Sequence, residues 1–127
     1  MNEEKLFNYI KAKYIDDLQP TQGYCSFDGY SIKYQTLVEL KCRAKHYDEM
    51  MIEQQKYNAL MREADTFGFV VYYVCSTPKG IYCWSLLTIK APVWYGNETM
   101  PKSTAFDDKS VTSKAVGYLS IDSSTRL

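Results

Sequence analysis

Leu37-Val38-Glu39-Leu40-Lys41-Cys42 is the stretch of this sequence that decides how the rest is interpreted. Its apolar composition predicts a strand, whose side chains alternate between two faces. The packed face is predicted to consist of Val38, Leu40 and Cys42. The other face is predicted to carry Leu37, Glu39, Lys41 and Arg43. An acid-x-base triplet is common by chance, and the apolar strand around this one singles it out as a place for chemistry.

Length and composition predict one domain over residues 1–127. A chain of 127 residues can bury a sizeable core, and 46% hydrophobic content is ordinary for a globular protein. The net charge of +0 excludes a general polyanion-coating protein, although a local basic rim around a cleft is compatible with it. The start of the chain lacks the features of a signal peptide, and no run is long enough to span a membrane, so a cytoplasmic protein is expected.

The cysteines and the histidine are predicted to be structural. No cysteine pair has the Cys-x-x-Cys spacing of a zinc site, which favours reduced thiols in the core. The single histidine, His46, has no cysteine or serine partner that would form a nucleophilic triad.

Periodicity predicts two helices and a sheet. The first helix is expected over residues 3–17, with Asn2 as its N-cap, and the second over residues 48–64. Strands are expected over 24–28, 30–34, 36–43, 67–75 and 81–89, with a type I turn at 77–80. A loop-rich extension is expected from about 90 to 127, with a last apolar run at 115–121. Because a helix connects the strands on either side of it, one strand pair is expected to be parallel. The fold class is therefore α/β (α+β), a mixed central sheet flanked by helices.

A second acid, Asp28, stands just before the glycine turn that precedes the central strand. A hairpin through residues 29–35 would bring its carboxylate beside that of Glu39. Two carboxylates about 4 Å apart repel by about 4 kcal/mol at an effective dielectric near 20, so the pair needs a proton or a cation. Mg²⁺ prefers such oxygens, and the Lys41 ammonium could then hold a phosphate or the attacking water.

This arrangement of Asp28 and Glu39-Leu40-Lys41, followed by a helix, resembles the PD-(D/E)xK nuclease superfamily. That is the restriction-endonuclease-like fold, which includes RecB-type exonucleases and archaeal-type Holliday junction resolvases. The resemblance covers about residues 1–89. It implies that Asp28 and Glu39 are metal ligands and Lys41 is the catalytic lysine, with hydrolysis leaving a 5′-phosphate. Phe27 stands where the family name has proline.

The resemblance extends to two further positions. Resolvase-like members carry a metal-site acid in the first helix, which implies that role for Glu3. The RecB-like branch has a Gln-x-x-x-Tyr motif in the helix after the lysine; here Tyr57 matches and Glu53 replaces the glutamine, with Lys56 beside them. Glu53 and Tyr57 are therefore expected to join the catalytic site.

The implied function is a Mg²⁺-dependent deoxyribonuclease, with Mn²⁺ as a substitute. The small size is typical of a phage or mobile-element endonuclease or resolvase-like enzyme, and a homodimer would let two sites cut two strands. The partner is DNA, with phosphate contacts expected from Arg43, Lys45 and Lys56.

Two alternatives stay open. One is a catalytically inactive protein of the same fold that binds nucleic acid or a protein partner. The other is a small structural or interaction domain. In that case Asp28 is an ordinary turn residue, Glu39 and Lys41 belong to a solvated strand face, and Glu53 and Lys56 form an exposed helical pair.

Overall fold

Two helices and nine strands form the fold in the part of the chain that the computed structural model describes, residues 1–23, 25–101 and 111–127. The elements are α1 (Glu3–Lys13), β1 (Gln19–Pro20), β2 (Gly29–Ser31), β3 (Thr36–Cys42), β4 (Glu49–Glu53), α2 (Gln54–Phe67), β5 (Val70–Thr77), β6 (Gly80–Ser85), β7 (Tyr95–Pro101), β8 (Val111–Ser120), a 3₁₀ turn (Ile121–Ser123) and β9 (Thr125–Arg126). Neither helix in these ranges is long and apolar enough to cross a bilayer.

The main sheet has six strands in the order β1-β2-β3-β5-β6-β9. β3 and β5 are parallel, joined by a crossover that contains α2, while the other neighbours in this sheet are antiparallel. The predicted parallel pair and the mixed α+β class are confirmed. The β5–β6 connection is the tight turn predicted at residues 77–80, with Thr77 opposite Gly80.

Both faces of the main sheet are covered. On one face α1 packs against a cluster that includes Leu6, Ile10, Val38 and Leu40. On the other face lie α2 and a second sheet of three strands, ordered β4-β8-β7, over the larger core. Glu39 faces this second core and is only 3% exposed, which overturns the prediction that one face of β3 alone is packed.

The first helix is shorter than predicted. The Asn2 side chain accepts a hydrogen bond from the amide of Lys5, as expected of an N-cap. The helix ends at Lys13 rather than near residue 17. Asp17 instead binds the Ser31 hydroxyl and the Lys33 amide with its carboxylate, so the chain after the helix is tied to the end of β2.

The second helix begins six residues later than predicted. Residues Glu49–Glu53 form β4, which pairs with β8, and the helix follows from Gln54 to Phe67. Met50 and Ile52 are buried while their neighbours are more exposed, which is the period-two pattern of a strand. Gly68 ends the helix in the left-handed conformation, with φ of 69°.

Two of the other predicted elements are also corrected. The C-terminal region is not a loop-rich extension, because β7 and β8 pair with each other and β9 joins the edge of the main sheet. The strand predicted at 24–28 does not form at residues 25–28, and residue 24 lies outside the described ranges. β2 starts only at Gly29.

The thiols are free, as expected, but they are not all in the core. Cys75 is buried and Cys42 and Cys83 are partly buried, whereas Cys25 is exposed. Burial raises the pKa of Cys75 to about 11 and that of Cys83 to about 12, so both are inert at neutral pH. The imidazole of His46 lies 2.9 Å from the Thr77 hydroxyl, a structural contact.

Candidate active site

The β2–β3 hairpin holds Asp28 and Glu39 side by side. The Asp28 amide donates to the carbonyl oxygen of Val38 at 2.8 Å, and Oδ2 of Asp28 accepts from the amide of Leu40, also at 2.8 Å. Because β2 begins only at Gly29, this carboxylate supplies an acceptor for β3 where the backbone of β2 does not. Glu39 lies between Val38 and Leu40, and the Asp28 carboxyl group is close enough to raise the pKa of Glu39.

Glu39 is an acid held out of water. Burial is the main reason that its pKa is raised from 4.5 to about 8, and the contact with the Asp28 carboxyl adds to the shift. The Lys56 ammonium acts in the opposite direction. At neutral pH the Asp28–Glu39 pair therefore favours a shared proton or a nearby cation over two free charges.

Lys56 reaches this acid pair from α2. Its Nζ lies 2.6 Å from Oε2 of Glu39 and donates to the carbonyl oxygen of Ser26 at 3.0 Å. The ammonium is close enough for an ion pair, but among the described residues Oε2 has no partner in hydrogen-bond geometry. Sequence reasoning expected Lys56 to bind nucleic acid and missed this pairing. A buried acid on β3 was the signal that a counter-ion had to come from the element packed over it.

Lys41 lies on the Glu39 face of β3. It sits opposite Cys75 of β5 in the parallel register; burial raises the pKa of that thiol, and the Lys41 charge partly opposes the rise. The side chain is half-buried, and it belongs to none of the ion pairs found in the described ranges. Lys41 is therefore a cation on the same face of β3 as Glu39, and no acid in those ranges forms an ion pair with it.

Glu3 is not brought together with the other two acids. It stands in the first turn of α1, where its carboxylate contributes to the raised pKa of Cys42 after the larger effect of burial. Cys42 points to the α1 face of the sheet, opposite to Glu39. Within residues 1–23, 25–101 and 111–127, no group of three acids, cysteines or histidines could hold a metal ion.

Glu53 and Tyr57 do not form the predicted helical pair in the site. Glu53 is the last residue of β4, and its carboxylate forms an ion pair with Lys114 of β8 at 3.3 Å. Tyr57 is buried in the larger core, where its ring packs edge-on against Trp94 with centroids 5.3 Å apart. The shift of the helix start explains the difference, because the i, i+4 relation holds only when both residues are helical.

The other two cations expected to contact DNA, Arg43 and Lys45, differ in availability. Arg43 donates from Nη2 to the carbonyl oxygen of Met51 at 3.1 Å, so its guanidinium links β3 to β4. Lys45, just beyond the end of β3, is exposed.

A hard divalent cation fits the donors of the acid pair. Asp28 and Glu39 offer carboxylate oxygens of the kind that Mg²⁺ and Mn²⁺ prefer. One of them, Oε2 of Glu39, is buried and lacks a hydrogen bond from the described part of the chain. The remaining positions around such an ion would be filled by water or by substrate oxygens, as is usual for Mg²⁺.

No protein-family model matches the sequence, and no curated protein is significantly similar to it. Among solved structures, the fold is similar to that of Hjc, a Holliday junction resolvase from the archaeal hyperthermophile Archaeoglobus fulgidus. The TM-score is 0.54, the sequence identity is 15%, and the match covers 70% of this chain and 78% of the archaeal one. The chain therefore shares its overall fold with this resolvase.

Proposed function

We propose that this protein is a divalent-metal-dependent deoxyribonuclease that hydrolyses phosphodiester bonds. The observation that carries the proposal is the contact between the Asp28 and Glu39 carboxyl groups, with the Lys41 side chain on the same face of β3. The resolvase-like fold supports it, since the neighbour of similar fold is a Holliday junction resolvase.

In this proposal Asp28 and Glu39 hold one Mg²⁺ or Mn²⁺ ion. The ion, when bound, would supply Lewis-acid stabilisation of the negative charge that develops on the phosphoryl oxygens. Glu3, on the other face of the sheet, and Glu53, paired with Lys114, are not part of the ligand set. With two carboxylate ligands, the other coordination positions of the ion are left for water and substrate oxygens.

Lys41 acts on the substrate in the same scheme. Its ammonium contacts the scissile phosphate or the attacking water, where a fixed positive charge stabilises the transition state more than the ground state. Water attacks phosphorus, the bond from phosphorus to O3′ breaks, and the O3′ leaving group takes up a proton. The products are a 5′-phosphate and a 3′-hydroxyl.

DNA is the proposed partner. Lys45 is exposed beyond the end of β3 and is the best-placed phosphate contact of those considered, while Arg43, whose guanidinium donates to the Met51 carbonyl oxygen, is less available. A homodimer would let two sites cut the two strands of a junction, and a small phage or mobile-element enzyme is the source class we propose.

A cleavage assay tests the function. The substrates are supercoiled plasmid, a four-way junction, linear duplex and single-stranded DNA, each with Mg²⁺, with Mn²⁺ and with EDTA. Lys41→Ala is expected to lower the cleavage rate by about a hundredfold or more. Lys33→Ala is the matched control, because this lysine pairs with Asp16 at the exposed surface. Cleavage of none of the substrates, or Lys41→Ala cutting at the parent rate, would contradict the proposal.

A second candidate is a nuclease-fold protein that binds nucleic acid or a protein without cutting. It is favoured by the Lys56 ammonium, which already neutralises Glu39, and by the lack of a three-ligand acid group in the described ranges. It predicts equal DNA affinity in EDTA and in Mg²⁺ with every substrate left intact, whereas the nuclease proposal predicts metal-dependent cleavage.

A further inference from the structure

The Asp28–Glu39 pair already has a cation beside it, and that cation is a side chain. The Nζ of Lys56 lies 2.6 Å from Oε2 of Glu39, whose side chain is 4% exposed. The backbone carbonyl of Ser26, two residues before Asp28, holds the same ammonium at 3.0 Å. The lysine that sequence analysis placed next to these acids was Lys41, which forms no ion pair with them in the described part of the chain.

We propose that Lys56 is a tethered counter-ion that occupies the cation position of the Asp28–Glu39 pair and that a divalent metal displaces when it binds there. The inference deepens the proposed function and rests on its metal site. It assigns Lys56 to the control of metal affinity, a positioning role through Glu39 rather than a direct role in the reaction.

Two cations cannot use the same carboxylate oxygen at these distances. Mg²⁺ binds oxygen at about 2.0–2.1 Å, so an ion on Oε2 of Glu39 would lie against an ammonium that is 2.6 Å from that atom. Their like charges repel strongly where little water screens them. Either Lys56 leaves, or the metal binds weakly.

Lys56 has a route out of the site. Its side chain is 33% exposed, and the flexible four-carbon stem allows the ammonium to turn towards water while the stem stays packed. The only hydrogen bond found for this ammonium in the described ranges goes to the Ser26 carbonyl oxygen, and water can replace the ammonium as the donor to that oxygen. Displacement therefore breaks one ion pair and one hydrogen bond without moving α2.

The same lysine explains how the acid pair is tolerated without a metal. The buried Glu39 carboxylate and the partly buried Asp28 carboxylate would repel each other without a cation and oppose folding. With Lys56 in place, one of the negative charges is balanced from within the chain. Lys56 thus stabilises the assembled site in the absence of a metal, and it lowers the affinity of the site for a metal that binds there.

The test measures metal binding rather than cleavage. Free Mn²⁺ is titrated against the full chain and followed by electron paramagnetic resonance. Lys56→Met, which keeps most of the side-chain volume and removes the charge, is expected to bind Mn²⁺ at least about tenfold more tightly than the parent, because one competing charge is gone. Lys56→Arg keeps the charge and is expected to bind as weakly as the parent.

Lys114→Met is the matched control. Lys114 is also partly buried and ion-paired, but with Glu53 instead of the acid pair. Its Mn²⁺ affinity is expected to stay close to that of the parent. Equal affinities for the parent and Lys56→Met would overturn the counter-ion role and leave the metal-dependent nuclease standing. Absence of Mn²⁺ binding in both would overturn both proposals.

A second measurement uses the unsubstituted protein and so does not depend on the folding of a variant. Brief acetylation with acetic anhydride, read by peptide mass spectrometry, reports how accessible each lysine is. Mg²⁺ is expected to increase the labelling of Lys56 severalfold and to leave that of Lys114 unchanged. Unchanged labelling of Lys56 at a Mg²⁺ concentration that saturates the site would overturn the inference.

Discussion

The backbone amide of Leu40 donates a hydrogen bond to Oδ2 of Asp28 at 2.8 Å, so one carboxylate both completes the β3 ladder and stands beside Glu39. The geometry of the candidate site thus depends on a bond that is made during folding, before any metal or DNA is present. The choice of substitution at Asp28 can therefore separate the effect on folding stability from the effect on the charge of the site.

Asp28→Ala and Asp28→Asn are expected to differ in stability. Alanine leaves the Leu40 amide without its acceptor and should lower the free energy of unfolding by about 1–3 kcal/mol. Asparagine keeps an oxygen at that place and should cost less than half as much, although it removes the charge. Urea unfolding of the two variants measures the difference, and equal destabilisation would show that the bond to Leu40 contributes nothing.

Glu39 is expected to make stability depend on pH. Its pKa rises from 4.5 to about 8 on folding, so the folded state binds the proton more tightly. The stabilising contribution is complete below pH 4.5 and is lost as the pH rises through about 8, at most about 5 kcal/mol for a shift of this size. Glu39→Gln removes the titration. The parent should therefore lose stability relative to this variant between pH 5 and 9 in thermal melts, and a constant difference would contradict the shift.

Divalent metal is expected to stabilise the parent but not the acid variants. An ion present at several times its dissociation constant adds about 1 kcal/mol or more, which raises Tm by several degrees in a domain of this size. The effect should be larger at pH 8 than at pH 6, because protons compete for Glu39. Glu39→Gln should show no Mg²⁺-dependent shift. Na⁺ at equal ionic strength controls for charge screening.

Lys41 and Lys45 are expected to affect different kinetic parameters. Lys41→Ala should lower kcat, because this lysine shares a face of β3 with Glu39. The substitution should have little effect on stability, because Lys41 is half-exposed and has no ion-pair partner in the described ranges. Lys45 is exposed and should mainly weaken DNA binding, with a smaller salt dependence of the affinity. A DNA-binding titration in EDTA and single-turnover rates in Mg²⁺ separate the two effects. A loss of kcat for Lys45→Ala alone would reverse the assignment.

The packing of the second sheet can be tested at Gly117. A Cβ added there would lie 2.6 Å from Cβ of Pro92 and 2.9 Å from the Trp94 ring, so Gly117→Ala should lower the free energy of unfolding by about 1–3 kcal/mol. Gly96→Ala is the control in the same sheet, since no atom of the described residues lies within 4 Å of its added Cβ. Equal stability of the two variants would mean that this contact is absent in solution.

Local signals in the sequence were enough for the elements that depend on neighbouring residues. Asn2 caps α1, the turn at residues 77–80 joins two strands, and the apolar run of β3 is a strand. The order of acids and the hairpin also placed Asp28 beside Glu39. These features follow from capping, turn chemistry and alternation, which act over a few residues.

The predictions were wrong for elements whose identity depends on pairing with residues far away in the sequence. The period-two pattern of Glu49–Glu53 is only five residues long and adjoins a helix, so the sequence predicts that these residues belong to the helix. Its strand form depends on β8, more than sixty positions later in the chain. The polar residues of β7 and of the start of β8 give little periodicity and so predict loops, yet these segments form strands that pair with each other.

The sequence alone predicted the strand that carries an acid and a base, the neighbouring carboxylate of Asp28, and a nuclease-like sheet. Only the tertiary structure decided which charges meet. Lys56 pairs with Glu39, Glu53 pairs with Lys114, and Glu3 lies on the far face of the sheet. The reason is physical: alternation tells which face a side chain takes, but the partner of a buried charge is set by the packing of the helix or sheet that covers it.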